Sequence, residues 1–217
     1  MKTLKAKLVT TFTAVIFVLT GILGFISTNI VSKNLIEDAH NELKNITTVN
    51  ADYIEQKLDT ELRYIEALSR DTIIIDDKVP IEEKSAFLEA EAKRTGYLAF
   101  AFADKNGNST VFNAKQEKTN IAQRDYFKKA VKGETTKSDL IISSATGEQV
   151  IIFATPIYKN GNPIGVFYGR RDGGLLSEFI SNIKYKETGF AYMVNNEGTS
   201  VGDRNKDLVI NQVNFLK

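Results

Sequence analysis

Cysteine is absent from all 217 residues, and histidine occurs once, as His40. The first absence removes disulfides, thiolate metal sites and thiol nucleophiles together. The second removes any histidine-rich metal cluster and any histidine triad built within the chain. Charge of one sign is scarce too: 28 basic side chains stand against 27 acidic ones, and no stretch beyond the N-terminus is strongly one-signed. That balance does not suit a phosphate backbone, so no nucleic-acid partner is expected. No metal and no cofactor is indicated. A hydrolase would need a nucleophile beside a base, and Ser143, Ser144, Asp139 and Glu148 show no recognisable spacing, so the chain is not read as an enzyme.

Two further absences organise the N-terminal third. No charged residue occurs from Leu8 to Ser32, a run rich in Val, Ile, Leu and Phe. About 20 apolar residues span a bilayer as a helix, so residues 8–32 are expected to cross a membrane. Lys2, Lys5 and Lys7 precede the run, whereas Lys33 is soon followed by Glu37 and Asp38. By the positive-inside rule residues 1–7 form a cytoplasmic tail and the remainder lies outside the cell. A cleaved signal peptide is the rival reading, but its apolar region is usually shorter and no clear small-x-small cleavage site follows Phe25. Proline and glycine are missing between Gly24 and Val79, where Leu35, Ala39, Leu43, Ile46, Ile54, Leu58, Leu62, Ile65 and Leu68 recur at helical steps. Residues 33–75 are therefore expected to form a long stalk helix to about Arg70, whose apolar stripe packs on the following domain or on a second copy, giving a homodimer. His40 reads as a solvated residue of that helix.

Beyond Pro80 the pattern turns mixed. Ile81 to Arg94 reads as a helix stopped by Gly96, with Glu82 and Glu83 in its first turn. Tyr97 to Ala103 alternates aromatic residues with alanine, and Asn106-Gly107 signals a hairpin into Ser109 to Asn113. Arg124 to Lys132 reads as a helix. Asp139 to Ser144, Gln149 to Tyr158 and Pro163 to Arg171 read as strands, with Thr146-Gly147-Glu148 and Lys159-Asn160-Gly161-Asn162 as turns. The sum is α+β: a five-stranded antiparallel sheet with helices. Leu175 to Ile183 follows as a helix and Thr188 to Asn195 as a strand.

Arg124-Asp125-Tyr126-Phe127, Ser143-Ser144-Ala145-Thr146-Gly147, Ala154-Thr155-Pro156-Ile157-Tyr158 and Gly165-Val166-Phe167-Tyr168-Gly169, in that order and spacing, resemble the extracellular double Cache sensor region of bacterial methyl-accepting chemotaxis proteins. The resemblance implies two PAS-like modules carried on one long helix: a membrane-distal module over 76–172, then a linker helix and the start of a membrane-proximal module over 173–217. No second span, adaptor helices or signalling coiled coil follow, so the chain is expected to be the N-terminal part of a longer receptor. Related domains also precede diguanylate cyclases and histidine kinases.

In amino-acid-sensing members of that family an Arg-x-Trp-Tyr helix, with a Tyr five positions earlier, meets an Asp on the last strand of the distal module. Arg and the aromatic two positions on hold the ligand carboxylate, and the Asp holds its ammonium. Here Arg124 matches, Tyr126 and Phe127 replace the Trp and Tyr, and Thr119 stands at the earlier Tyr. Arg170 stands where the Asp is expected, and a cation there repels an ammonium group. Asp172 shares its strand face and is the substitute, unless it pairs with Arg170. The resemblance thus implies a small-molecule site, for an amino acid or a small carboxylate, formed by Arg124, Tyr126, Phe127, Ser144, Arg170 and Asp172. Ser143, Ser144 and Thr146 could line the pocket with hydroxyls, though turn chemistry explains them as well; Arg124 has a bland counterpart as a helix-start residue paired with Asp125 or Glu148, and Arg170-Arg171 as a solvated pair at a strand end. Tyr97, Phe100 and Phe102 are expected in the core.

Overall fold

The computed structural model describes residues 4–113, 115–159 and 161–216. Lys2 of the basic flank, Asn160 of the last turn and the terminal Lys217 lie outside the described residues, as does the side chain of Lys5. Helix α1 runs Leu4–Leu68, and the chain divides into two compact units, Met1–Asp52 and Tyr53–Lys217.

The first unit is helical throughout its described residues. The large apolar side chains of its charge-free run, Phe12, Phe17 and Phe25 among them, are exposed. The helix contains a window of mean hydropathy 2.2, none of it buried, long and apolar enough to cross a membrane. The hydroxyls of Thr11, Thr13, Thr20 and Thr28 donate back to carbonyls four residues earlier at 2.7 to 2.9 Å. Such bonds satisfy polar groups that hydrocarbon would leave unpaired.

In the second unit α1 ends where Asp71 starts the short helix α2 (Thr72–Ile75), its Oδ1 accepting from the Ile73 amide at 2.9 Å. Helix α3 (Ile81–Thr95) follows, with Glu82 and Glu83 at its start and Gly96 at its end. Gly96 takes φ 78°, the left-handed conformation that favours glycine at a helix end. Strands β1 (Ala99–Asp104) and β2 (Asn108–Val111) form the expected hairpin, with Gly107 at φ 81°. Asp104 Oδ1 accepts from the Asn106 and Asn108 amides at 2.9 Å and locks the turn. Then come β3 (Lys118–Asn120), α4 (Asp125–Ala130), β4 (Thr136–Lys137), β5 (Ile141–Ile142), β6 (Gln149–Lys159) and β7 (Asn162–Asp172).

The sheet is antiparallel, in the order β3-β2-β1-β7-β6-β4, with β5 also on β6. It has seven strands where five were expected. The additions, β3 and β4, are three and two residues long and carry no apolar alternation by which to announce themselves.

Alternation along the long strands gives the sheet two different faces. Phe100, Ile151, Phe153, Ile157 and Phe167 pack with Ile65, Leu68 and Leu88 against α1 and α3. Ala99, Ala101, Ala103, Val150, Ile152, Ala154, Val166 and Tyr168 face α4. Tyr97 and Phe100 are core, as expected, and Phe102 is partly buried on the helix side.

Polar contacts tie α1 to α3. Tyr64 Oη donates to Glu91 Oε1 at 2.6 Å, and Arg94 Nε donates to Glu91 Oε2 at 2.9 Å. Arg94 first and Tyr64 second hold the Glu91 carboxyl at about 2, below its ordinary 4.5. A carboxyl depressed in the folded state contributes stability that is fully present above its ordinary value and is lost as pH falls through the folded one. The melting-temperature advantage of the wild type over Glu91→Gln is therefore expected to hold near neutrality and to shrink from about pH 4.5 towards about 2. A gap that stays constant across that range refutes it.

The remainder forms a smaller assembly: α5 (Leu175–Ile180), β8 (Lys184–Tyr185), β9 (Gly189–Phe190), β10 (Met193–Val194), β11 (Ser200–Gly202) and α6 (Lys206–Ile210). The strand expected over Thr188 to Asn195 is split, β9 pairing back to β8 and β10 forward to β11. Phe190 and Tyr192 are exposed, so no buried face holds the two pieces in one line.

Candidate functional site

The alanines of β1 lower the α4 face of the sheet and leave room for rings above it. Helix α4 fills part of that room with Tyr126, Phe127 and Ala130, all buried. Phe127 belongs to the core there, whereas Tyr126 also lines an open cleft of about 830 Å³ beside α4. Arg124 stands at the N-cap in extended backbone, which turns its side chain off the helix, and Nη2 donates to the Ile142 carbonyl at 3.2 Å. It pairs with neither Asp125 nor Glu148 among the described contacts; Asp125 lies 3.9 Å from Lys128 instead. Five cations, Arg124, Lys128, Lys129, Lys132 and Lys137, line the cleft against three acids, Asp125, Glu134 and Asp139.

Strand β7 places further polar side chains near α4, none of them among the residues that line the cleft. Tyr168 and Arg170, two residues apart, point to the α4 side. The Tyr168 ring lies 5.9 Å from that of Tyr126, and its hydroxyl is bonded to Ser109 Oγ at 2.7 Å. Arg170 is only 7% exposed. Its Nη1 donates to Ser143 Oγ at 3.3 Å, its Nε has no partner, and no acidic side chain pairs with it among the described residues. The bland alternative, a solvated basic pair at the strand end, does not describe Arg170. Arg170 is enclosed by the sheet, α4 and the β5 turn, and Arg171 points the other way, to Glu61 and the Thr95 carbonyl.

Arg124 and Arg170 act on one phenol. Burial, and Tyr168 beside it, push the Tyr126 hydroxyl far up, while both guanidiniums pull it back. Burial raises Tyr168 as well, against the Ser109 hydrogen bond and Arg170. Both rings are therefore neutral hydroxyl bearers beside two fixed cations.

Arg124, Tyr126 and Arg170 are thus brought together; the other three residues are not. Phe127 lies beneath, in the core. Ser144 is exposed, and its neighbour Ser143 carries the contact to Arg170, because the turn buries the first hydroxyl and releases the second. Asp172 shares the Arg170 side of β7 but does not pair with it. Its Oδ1 accepts from the Gly174 amide at 2.8 Å, and it lines a separate cleft with Gln149 and Lys206. Tyr168 is the residue that the sequence does not assign to the site, and Ser143, one of three hydroxyls that it offers, is the one that reaches Arg170. Tyr168 could have been found from its spacing of two before Arg170.

Residues 31–215 match the Cache domain. The sensory domain of the Campylobacter jejuni chemoreceptor Tlp3, solved with isoleucine bound, is similar at 16% identity and a TM-score of 0.67, over 84% of this chain and 77% of that one. The ligand-binding domain of the Pseudomonas fluorescens chemoreceptor CtaA, solved with L-serine, is similar at 25% identity and a TM-score of 0.64, over 81% and 77%. The likeness to these domains is one of fold, an antiparallel sheet with helices. The chain belongs to the Cache domain family.

Proposed function

We propose that the chain is the extracellular ligand-sensing region of a transmembrane chemoreceptor of the methyl-accepting type, anchored by residues 8–32. Residues 76–172 form its membrane-distal module and 173–217 the beginning of the membrane-proximal one, and two copies associate through the stalk helix. A small molecule enters the α4 cleft, where its carboxylate meets the guanidinium of Arg124 and its body lies against Tyr126, while the enclosed Arg170 adds its positive charge from beside that ring. The observation that carries this reading is Arg170, a buried cation whose Nε has no partner. An ion so placed costs several kcal/mol unless something of opposite charge joins it. The amino acids bound by the Tlp3 and CtaA domains also carry a carboxylate. Signalling then follows from the difference in ligand affinity between two arrangements of the domain.

The full chain in detergent, melted in the presence of a panel of amino acids and small carboxylates, tests this. A ligand at 100 times its dissociation constant adds about 2.7 kcal/mol to the folded state. Arg124→Ala is expected to weaken binding about tenfold to a hundredfold, since each charge-assisted hydrogen bond contributes about 1.5 to 3 kcal/mol. Wild-type affinity in that variant places the ligand elsewhere.

A further inference from the structure

Strand β5 is only two residues long and pairs with β6. It stands between two clefts. Ile141 lines the α4 cleft, and Ile142 lines the second one together with Gln149 and, from α6, Lys206, Val209 and Ile210. So short a strand has little of its own to hold it, and Arg124 braces it from the α4 side by donating to the Ile142 carbonyl at 3.2 Å. Across the β5–β6 pair Ile142 stands opposite Gln149, and opposite residues on one face of a strand pair interact. Gln149 reaches onward. Its Nε2 donates to the Ile210 carbonyl at 3.0 Å and to that of Val209 at 3.4 Å. The last carbonyls of a helix lack donors within it, and a helix of five residues does not stand alone. Gln149 therefore caps α6 from the sheet.

We propose that Arg124, Ile142, Gln149 and the end of α6 form one coupled unit, through which occupation of the α4 cleft changes how firmly α6 is held to the sheet. As regulation of sensing this rests on the α4 cleft being the ligand site; the coupling itself does not. A carboxylate offers the guanidinium two ionised acceptors in one plane, against the single neutral carbonyl of Ile142. It draws Arg124 off that carbonyl, β5 loosens against β6, and Gln149 loses the neighbour that keeps its amide on α6. Gln149 is a positioning residue here: it lies outside the α4 cleft and sets the attachment of the smaller assembly.

Hydrogen exchange of the full chain in detergent, read by mass spectrometry over residues 206–213 and over the β1–β2 hairpin, tests the coupling without a ligand. The Asn211, Gln212 and Val213 amides bond back into α6 and report on its attachment. Gln149→Ala is expected to speed their exchange about tenfold, as the loss of a hydrogen bond does. Arg124→Ala, which imitates withdrawal of the guanidinium, is expected to speed them about threefold or more. The double variant is expected to exchange no faster than Gln149→Ala, because the link is already cut. Hairpin exchange is expected to stay at the wild-type rate in all three. Wild-type exchange over α6 in Arg124→Ala overturns the coupling. So does a double variant whose acceleration is the product of the two single ones, or a hairpin that speeds up along with α6. If Gln149→Ala does not fold, Arg124→Ala compared with the hairpin carries the test alone. Failure of every amino acid and carboxylate to stabilise the chain removes the sensory role of the cleft and leaves the exchange result standing.

Discussion

Phe167→Ala is expected to destabilise the sheet domain by about 3 to 5 kcal/mol, the range for emptying a buried aromatic position. Phe167 has no exposed surface. Its ring stacks on Phe100 at 5.6 Å with an interplanar angle of 13°, and Phe100 stacks in turn on Tyr97 at 4.7 Å. The strand pairs Phe167 with Phe102 on one side and Thr155 on the other, in the middle of the sheet. Rigid backbone on both sides cannot collapse into the space left behind, which puts the cost in the upper part of the range. For a domain of this size the loss corresponds to a fall in melting temperature of about 10 °C or more. Leu98→Ala, at an exposed position, is the control and is expected to stay within about 0.5 kcal/mol of wild type. Equal effects of the two substitutions in thermal melts would show that the stacked rings are not the centre of this core.

Loss of Glu61 is expected to cost nearly as much. Its Oε1 accepts from Arg171 Nη2 at 2.9 Å, with side-chain exposures of 17% for Glu61 and 14% for Arg171. Arg171 Nη1 donates to the Thr95 carbonyl at 2.7 Å, and the guanidinium lies 5.0 Å from the centre of the Tyr97 ring. The arrangement therefore joins α1, the end of α3 and β7 at one cation. Glu61→Ala leaves that cation with a carbonyl and a ring but no counter-charge, at a cost of about 3 kcal/mol. Glu61→Leu combined with Arg171→Leu removes both charges and is expected to recover most of the loss, since a well-packed apolar pair often replaces a buried ion pair at little cost. Urea denaturation of Glu61→Leu, of Arg171→Leu and of the double variant measures the coupling. Strictly additive losses would mean that the two residues do not act as a pair.

Much of this fold could be read from the chain. The gap without proline or glycine marked the long helix, Pro80 and Gly96 bounded α3, and Asn106-Gly107 fixed the first hairpin. The aromatic and alanine alternation of β1 contained both faces of the sheet. The period of two along β7 put Arg170 and Asp172 on a common side, but it could not show that Arg170 would be buried. That burial is decided by α4 and the β5 turn, which are distant in sequence. The choice between Ser143 and Ser144 was equally out of reach, because a turn has no period to say which of two hydroxyls faces inward. The short strands β3 and β4 are paired to their neighbours β2 and β6 and have no apolar pattern of their own.

Adjacent arginines on β7 face opposite ways. Arg170 meets the proposed ligand side and Arg171 meets Glu61 on the long helix. A substitution at position 170 is therefore felt on the α4 side of the sheet, and one at position 171 at the seam with the long helix. Two consecutive codons thus reach opposite layers of the fold, and a change in one removes no contact of the other.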